Sequence, residues 1–191
     1  IIDDAVSLMH AVKPTNPILV GLSIGGLYAA QAWLAGAPAD RLVLINTLRV
    51  NGPRLKWIGD ALVRAVEIGG LPLFRDLFLP LLMNEEWQAS NRQNFITSPM
   101  AYEALTPDSG HYKLLAQAGP SADWNLDWEA LDLPTLVITG LQDHIFLEKD
   151  VVDDLFSRLP QGSRIDMDNA GHLIPGERPE ELADLLAQFT D

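Results

Sequence analysis

Short apolar runs alternate with helix-forming segments at both ends of the chain, and this alternation limits the possible folds more than any other feature. The runs predict buried strands at residues 18–20, 41–45, 135–139 and 164–167. Helical spacing or small helix-forming residues predict helices at residues 1–12, 25–35, 149–158 and 179–189. Strands that alternate with helices indicate an α/β fold, a mostly parallel sheet with helices on both faces.

The middle of the chain loses this alternation. Apolar residues there follow helical spacing, at Leu55, Ile58, Leu62 and Val66, and Gly69-Gly70 predicts a helix stop. We therefore predict a helical insertion between two parts of an α/β core.

Composition excludes several classes of protein. The 191 residues suffice for one compact domain, and their net charge of −13 disfavours binding to nucleic acid. The chain has no cysteine, and its 4 histidines lack metal-ligand spacing, so we expect neither a metal nor a cofactor. No apolar run reaches the ~20 residues of a membrane span, and we expect a cytoplasmic protein.

The segment Gly21-Leu22-Ser23-Ile24-Gly25 directly follows the first predicted strand and precedes a helix rich in small residues. This pattern in this setting is typical of a nucleophile elbow, a strained turn that exposes a serine hydroxyl at the end of a strand. We therefore predict Ser23 as a nucleophile. The backbone N–H of Ile24 and the positive end of the following helix point to the same place, which makes Ile24 the predicted oxyanion-hole donor.

A serine hydroxyl needs a base to take its proton. His172 follows the last predicted strand, at the same edge of the sheet as Ser23, and is the predicted base. His111 and His144 are alternatives, but His111 falls in the helical insertion and His144 follows a residue better suited to another role.

That residue is Asp143, which comes just past the third predicted strand. A carboxylate there would orient the imidazole and stabilise its charged form, so Asp143 is the predicted acid. The other acidic side chains nearby, Asp150, Asp153 and Asp154, fall on a predicted helix where we expect them to face solvent. Asn46, after the second strand, occupies another plausible acid position but cannot ionise.

The order of these residues and their local sequences resemble the α/β-hydrolase superfamily, in particular its esterase-like serine hydrolases with a helical cap. Residues 139–143 (TGLQD) resemble the acid turn of that family, and residues 169–172 (NAGH) with 177–180 (ERPE) resemble its histidine loop and closing helix. The resemblance covers essentially the whole chain. It implies that residues 51–131 form a cap over the active site, between core parts at residues 1–50 and 132–191.

Members of this family normally have several strands before the nucleophile elbow, whereas one predicted helix and one predicted strand precede Ser23 here. The resemblance therefore implies that an N-terminal segment of the same protein accompanies this chain and supplies the second oxyanion-hole N–H.

The predicted triad indicates an enzyme of the EC 3.1 type that cleaves a carboxylic ester or related acyl bond through an acyl-serine intermediate. The apolar insertion predicts a small-molecule substrate with a largely apolar acyl group. An acyltransferase, lactonase, C–C hydrolase or aminopeptidase would use the same triad. A non-catalytic ligand-binding protein of the same fold is a further alternative.

Overall fold

A single parallel sheet organises the computed structural model, which describes residues 1–94 and 102–190. Its four strands lie in the order β1-β2-β3-β4, with every neighbouring pair parallel. The strands are β1 (Ile18–Leu22), β2 (Arg41–Ile45), β3 (Thr135–Gly140) and β4 (Gly162–Met167). All four predicted strands are present, and each extends at most two residues beyond its predicted range.

Helices connect and cover the strands. The α-helices are α1 (Ile2–Val12), α2 (Ile24–Leu34), α3 (Pro53–Leu82), α4 (Glu85–Asn91), α5 (Gly110–Lys113), α6 (Gly119–Ser121), α7 (Lys149–Ser157), α8 (Ile174–Glu177) and α9 (Pro179–Thr190). Short 3₁₀ turns at Arg92–Asn94 and Trp128–Ala130, and a π turn at Leu114–Ala118, complete the described elements.

The central strands β2 and β3 are buried on both faces, which explains why their sequences are mostly apolar. Successive β2 side chains alternate between two core clusters, with Leu42 and Leu44 in one and Val43 and Ile45 in the other. Helices α2 and α7 contribute to the first cluster, and α8 and α9 contribute to the second. The predicted α/β class, with helices on both faces of a parallel sheet, is confirmed.

β1 lies at one edge of the described sheet and pairs with β2. Its Val20 is 52% exposed, whereas Leu42, Val43 and Leu44 of β2 are 0% exposed. The implied N-terminal segment, which would belong beside this strand, stays a prediction.

Helix α3 consists of two helical segments that meet at a kink at Gly70, where the Gly69-Gly70 pair predicts a helix stop. Gly70 has φ 65°, a conformation that favours glycine, and Pro72 follows within the next turn. The carbonyl of Val66, one turn before the kink, accepts a hydrogen bond from the N–H of Leu105 at 2.9 Å. The predicted stop therefore corresponds to this kink, and a second helical segment follows it as far as Leu82.

The described part of residues 51–131 contains helices and turns and no strand. Residues 95–101 of the predicted cap, and residue 191 of the last core part, lie outside the described residues. The assignment of this region as a cap stays a prediction. Within the described ranges, no helix is both long enough and apolar enough to cross a bilayer.

β1 and α2 approach each other closely on either side of the Ser23 turn, and a substitution at Gly21 tests this approach. A Cβ at Gly21 would lie 2.3 Å from the Cα of Gly26, so Gly21→Ala must push the strand and helix apart. We expect this variant to lose about 2–3 kcal/mol of unfolding free energy in urea denaturation.

Gly59→Ala is the matched control, because Gly59 lies within α3 and a Cβ there meets nothing within 4 Å. We expect it to gain about 0.5–1 kcal/mol from helix propensity. Wild-type stability in Gly21→Ala would contradict the close approach of strand and helix.

Candidate active site

Ser23 occupies a strained turn between β1 and α2. Its backbone has φ 55° and ψ −125°, a conformation that non-glycine residues rarely adopt. The turn is held from β2, because the Ser23 N–H donates to the Ile45 carbonyl at 2.8 Å and the Thr47 hydroxyl donates to the Ser23 carbonyl at 3.2 Å. The Ser23 side chain is only partly buried. A nucleophilic serine requires this exposure and this sharp reversal of the chain.

Ile24 is the first residue of α2. A backbone N–H at this position has no acceptor within its own helix, and it lies at the positive end of the helix dipole. Its assignment as an oxyanion donor stays a prediction, since no bound group marks the position.

Asp143 and His172 form a buried pair at the same edge of the sheet. His172 Nδ1 lies 2.6 Å from Asp143 Oδ2, and both residues are 4% exposed. The other carboxylate oxygen of Asp143 accepts from the N–H groups of Ile145 and Phe146 at 3.1 and 2.9 Å. The Phe146 ring also contacts the imidazole, with ring centroids 4.9 Å apart. Both side chains are therefore held in one orientation.

These contacts decide the charge of Asp143. Burial raises the pKa of its carboxyl. The hydrogen bond and charge of His172, together with the two backbone N–H groups, lower the pKa by more than burial raises it, so the net pKa lies below the ordinary value. The carboxylate is therefore ionised at neutral pH, as a group that stabilises an imidazolium must be.

Ser23, Asp143 and His172 all follow carboxyl ends of parallel strands, which meet at one edge of a sheet. Within the described residues, the Ser23 hydroxyl makes no hydrogen bond with His172. It accepts one instead from Arg49 Nη2 at 3.3 Å. Because a hydroxyl has one proton and two lone pairs, accepting from Arg49 leaves its proton available for a base.

Asn46 ties the loops of the site together. Its Oδ1 accepts from the Gly140 N–H at 2.8 Å, and its Nδ2 donates to the carbonyls of Gly171 and His172 at 3.0 and 2.9 Å. Asn46 occupies the other plausible acid position, after the second strand. Its amide connects β3 to the histidine loop.

Glu177 holds the histidine loop from the other side. The carboxylate is buried, and its Oε2 accepts from the N–H groups of Asn84 at 2.6 Å and Gly171 at 2.8 Å, while Oε1 accepts from Leu173 at 2.9 Å. Since Asn84 caps α4, this side chain also joins the helical insertion to the core.

The alternative residues lie apart from this pair. His111 is exposed on α5, and His144 is exposed on the acid loop, where its backbone N–H donates to the Leu81 carbonyl. Asp153 and Asp154 lie on the solvent face of α7 in ion pairs with Arg164 and Arg158. Asp150 is exposed on the same helix.

Sequence reasoning missed Arg49, and it missed the structural roles of Asn46 and Glu177. Two of the three had a signal. Asn46 directly follows a buried strand, and Glu177 lies in the motif that resembles the closing helix. Arg49 lies four residues past the second strand, and no motif distinguishes it from a surface arginine.

Comparisons with known proteins agree with this architecture. Residues 2–185 match the model of the Alpha/beta hydrolase family. The chain is 25% identical to the AB hydrolase superfamily protein YisY of Bacillus subtilis, over 99% of the chain and 72% of that protein. It is 25% identical to a malate-bound thermophilic esterase from Thermogutta terrifontis, with a TM-score of 0.75 over 98% of this chain and 70% of that one.

An enol-lactonase from Burkholderia xenovorans LB400 has the same fold, with a TM-score of 0.74 and 21% identity. The match covers 98% of this chain and 70% of that one.

Replacing the Glu177 carboxylate tests the brace of the histidine loop. In Glu177→Gln the amide nitrogen cannot accept, so at least one buried N–H loses its partner. We expect a loss of about 1–3 kcal/mol in urea denaturation. Glu180→Gln makes the same change at an exposed position of α9 and should stay within about 0.5 kcal/mol of wild type. Equal effects of the two substitutions would contradict the assigned role.

The lowered pKa of Asp143 gives a signed pH dependence. A carboxylate whose pKa is lower in the folded state stabilises the fold above the unfolded pKa of about 3.9, and this contribution disappears as the pH falls through the folded pKa. Asp143→Asn lacks the contribution at every pH. The difference in unfolding free energy between wild type and variant should therefore be largest at neutral pH and shrink below about pH 4.

The exposed Asp184→Asn is the control for this pH series. If the wild-type advantage over Asp143→Asn does not change with pH, the ionised carboxylate is not what stabilises the pair.

Proposed function

This chain belongs to the alpha/beta hydrolase family, and we propose that it acts there as a serine hydrolase that cleaves a carboxylic ester or a related acyl bond. The observation that carries the proposal is the buried pair of His172 and Asp143, with Nδ1 and Oδ2 2.6 Å apart, at the same sheet edge as the strained turn of Ser23. A carboxylate bound to one imidazole nitrogen leaves the other free to act as a base.

In the first step, Ser23 Oγ attacks the carbonyl carbon of the ester and its proton passes to Nε2 of His172. The C–O π bond opens and its electron pair moves to the carbonyl oxygen. Asp143, ionised by virtue of its lowered pKa, stabilises the imidazolium that forms. The proton on Nε2 then passes to the leaving alcohol as the C–O bond breaks, and an acyl-serine remains.

In the second step, water replaces the alcohol. His172 takes a proton from the water, whose oxygen attacks the acyl carbon, and returns the proton to Ser23 Oγ as the ester to the serine breaks. The products are a carboxylic acid and the free enzyme, and the sum of the two steps consumes one water. No redox partner is needed.

The N–H of Ile24 would stabilise the negative oxygen in both steps, because it begins α2 beside Ser23. Such a donor is worth about 10²- to 10³-fold in rate.

An apolar groove next to the acid loop is a candidate binding surface for the apolar part of an acyl substrate. It has a volume of about 540 Å³ and lies between α3 and the loop that follows Asp143. Trp57, Ile58 and Phe78 contribute to its walls. The similarity to an esterase at 25% identity supports ester rather than amide hydrolysis.

A fluorophosphonate probe tests the nucleophile. Wild-type protein should gain one covalent phosphonyl group, which peptide mapping should place on Ser23, and Ser23→Ala should gain none. We expect hydrolysis of p-nitrophenyl butyrate to fall about 10⁴- to 10⁶-fold in Ser23→Ala and in His172→Ala.

Ser7→Ala, on the exposed face of α1, is the matched control and should keep both labelling and activity. Labelling at a serine other than Ser23, or hydrolysis that survives in Ser23→Ala, would refute the proposal.

A further inference from the structure

Arg49 is a buried cation with an incomplete set of partners. It is only 6% exposed, and its hydrogen bonds within the described residues come from Nη2, which donates to the Asn46 carbonyl at 2.6 Å and to Ser23 Oγ at 3.3 Å. Its Nε is buried and has no acceptor. Since Nη2 reaches the oxygen of the proposed nucleophile, the guanidinium lies beside the reaction centre.

No carboxylate of the described residues pairs with this guanidinium. Asp143 is the charged neighbour that acts on it, but both oxygens of Asp143 are engaged, by His172 on one side and by the N–H groups of Ile145 and Phe146 on the other. Burial lowers the pKa of Arg49 to about 10, against the opposing effect of Asp143, so the side chain is charged at neutral pH.

Aromatic rings cover the guanidinium. The Arg49 Cζ lies 4.6 Å from the centroid of Trp124 and 4.5 Å from that of Phe146. These contacts stabilise a cation and keep water from its faces, but they leave in-plane N–H donors without acceptors. A buried ion normally has a hydrogen-bonded counter-ion, because its desolvation costs several kcal/mol.

The cavity beside Arg49 is too small to hold such a counter-ion. Its volume is about 10 Å³, and Asn46, Thr139, Asp143 and Phe146 help to line it. This is room for about one water molecule, not for a carboxylate. A larger anion would therefore have to approach the guanidinium from the side of Ser23, which is partly exposed.

We propose that Arg49 is a specificity-determining residue, and that it binds a carboxylate carried by the acyl part of the substrate. The proposal rests on the proposed function and narrows its substrate class to half-esters of small dicarboxylic acids. A guanidinium suits this ligand, because it donates charge-assisted hydrogen bonds to a carboxylate, and Nη2 can exchange its bond to Ser23 Oγ for one to the substrate. The apolar chain between the two carbonyl groups would contact the surrounding aromatic rings.

Matched pairs of ethyl esters test the proposal. Monoethyl succinate and monoethyl glutarate carry a terminal carboxylate, and their amide counterparts, ethyl succinamate and ethyl glutaramate, have nearly the same shape without the charge. For at least one chain length, kcat/KM of wild-type protein should be about 10- to 100-fold higher for the acid than for the amide. Equal or lower values for both acids would overturn the proposal.

Substitutions of Arg49 locate the effect. In Arg49→Gln the acid-to-amide ratio should fall to about 1, and in Arg49→Lys it should stay above 1, because a positive charge remains. The ratio is informative even if the substitution lowers overall activity through Ser23. A ratio that survives in Arg49→Gln would assign the preference to another residue and overturn the proposal.

Failure of the proposed function gives a different result. If wild type hydrolyses neither member of any pair and the phosphonate does not label Ser23, the hydrolase proposal fails. Calorimetry then measures the binding of monoethyl glutarate and of ethyl glutaramate to wild type and to Arg49→Gln, and this tests whether Arg49 binds a carboxylate. Tighter binding of the acid, lost in Arg49→Gln, supports a carboxylate site, and equal binding or no binding of the two overturns it.

Discussion

The site depends on the carboxyl end of β2, where backbone and side-chain groups fix the loops of the neighbouring strands. The Ile45 carbonyl holds the N–H of Ser23 on one side, and the Asn46 amide holds Gly140 and the histidine loop on the other. A primary amide suits this position because it offers both an acceptor and two donors. Three loops that are far apart in the chain are thereby connected through two consecutive residues.

The remaining polar groups of the site differ in how well they are satisfied. Asp143 and Glu177 are buried carboxylates, and each oxygen of both accepts at least one hydrogen bond, so they hold a fixed geometry. Arg49 differs from these two carboxylates, since it is charged, buried and incompletely paired next to Ser23. Incomplete pairing costs stability, and such a cost is typical of positions that serve a ligand.

Sequence reasoning succeeded where a local pattern has one structural solution. The apolar runs predicted all four strands to within two residues at each end. The prediction was closest for β2 and β3, because strands buried on both faces require mostly apolar sequence. It also selected Asp143 and His172, which the fold brings together as a buried pair. It failed at Arg49, because the contacts that place this side chain in the site come from Ser23, Trp124 and Phe146, which are distant in the chain.

The sequence by itself determined the α/β class, the order of the strands along the chain and the strand ends that carry Ser23, Asp143 and His172. These follow from hydrophobic periodicity and turn chemistry, which act over a few residues. Tertiary structure alone decided which side chains hold those ends together and what surrounds the nucleophile. Burial, ion pairing and hydrogen-bond geometry depend on groups many residues apart, and Arg49 acquired its place beside Ser23 only when the sheet and the insertion had packed.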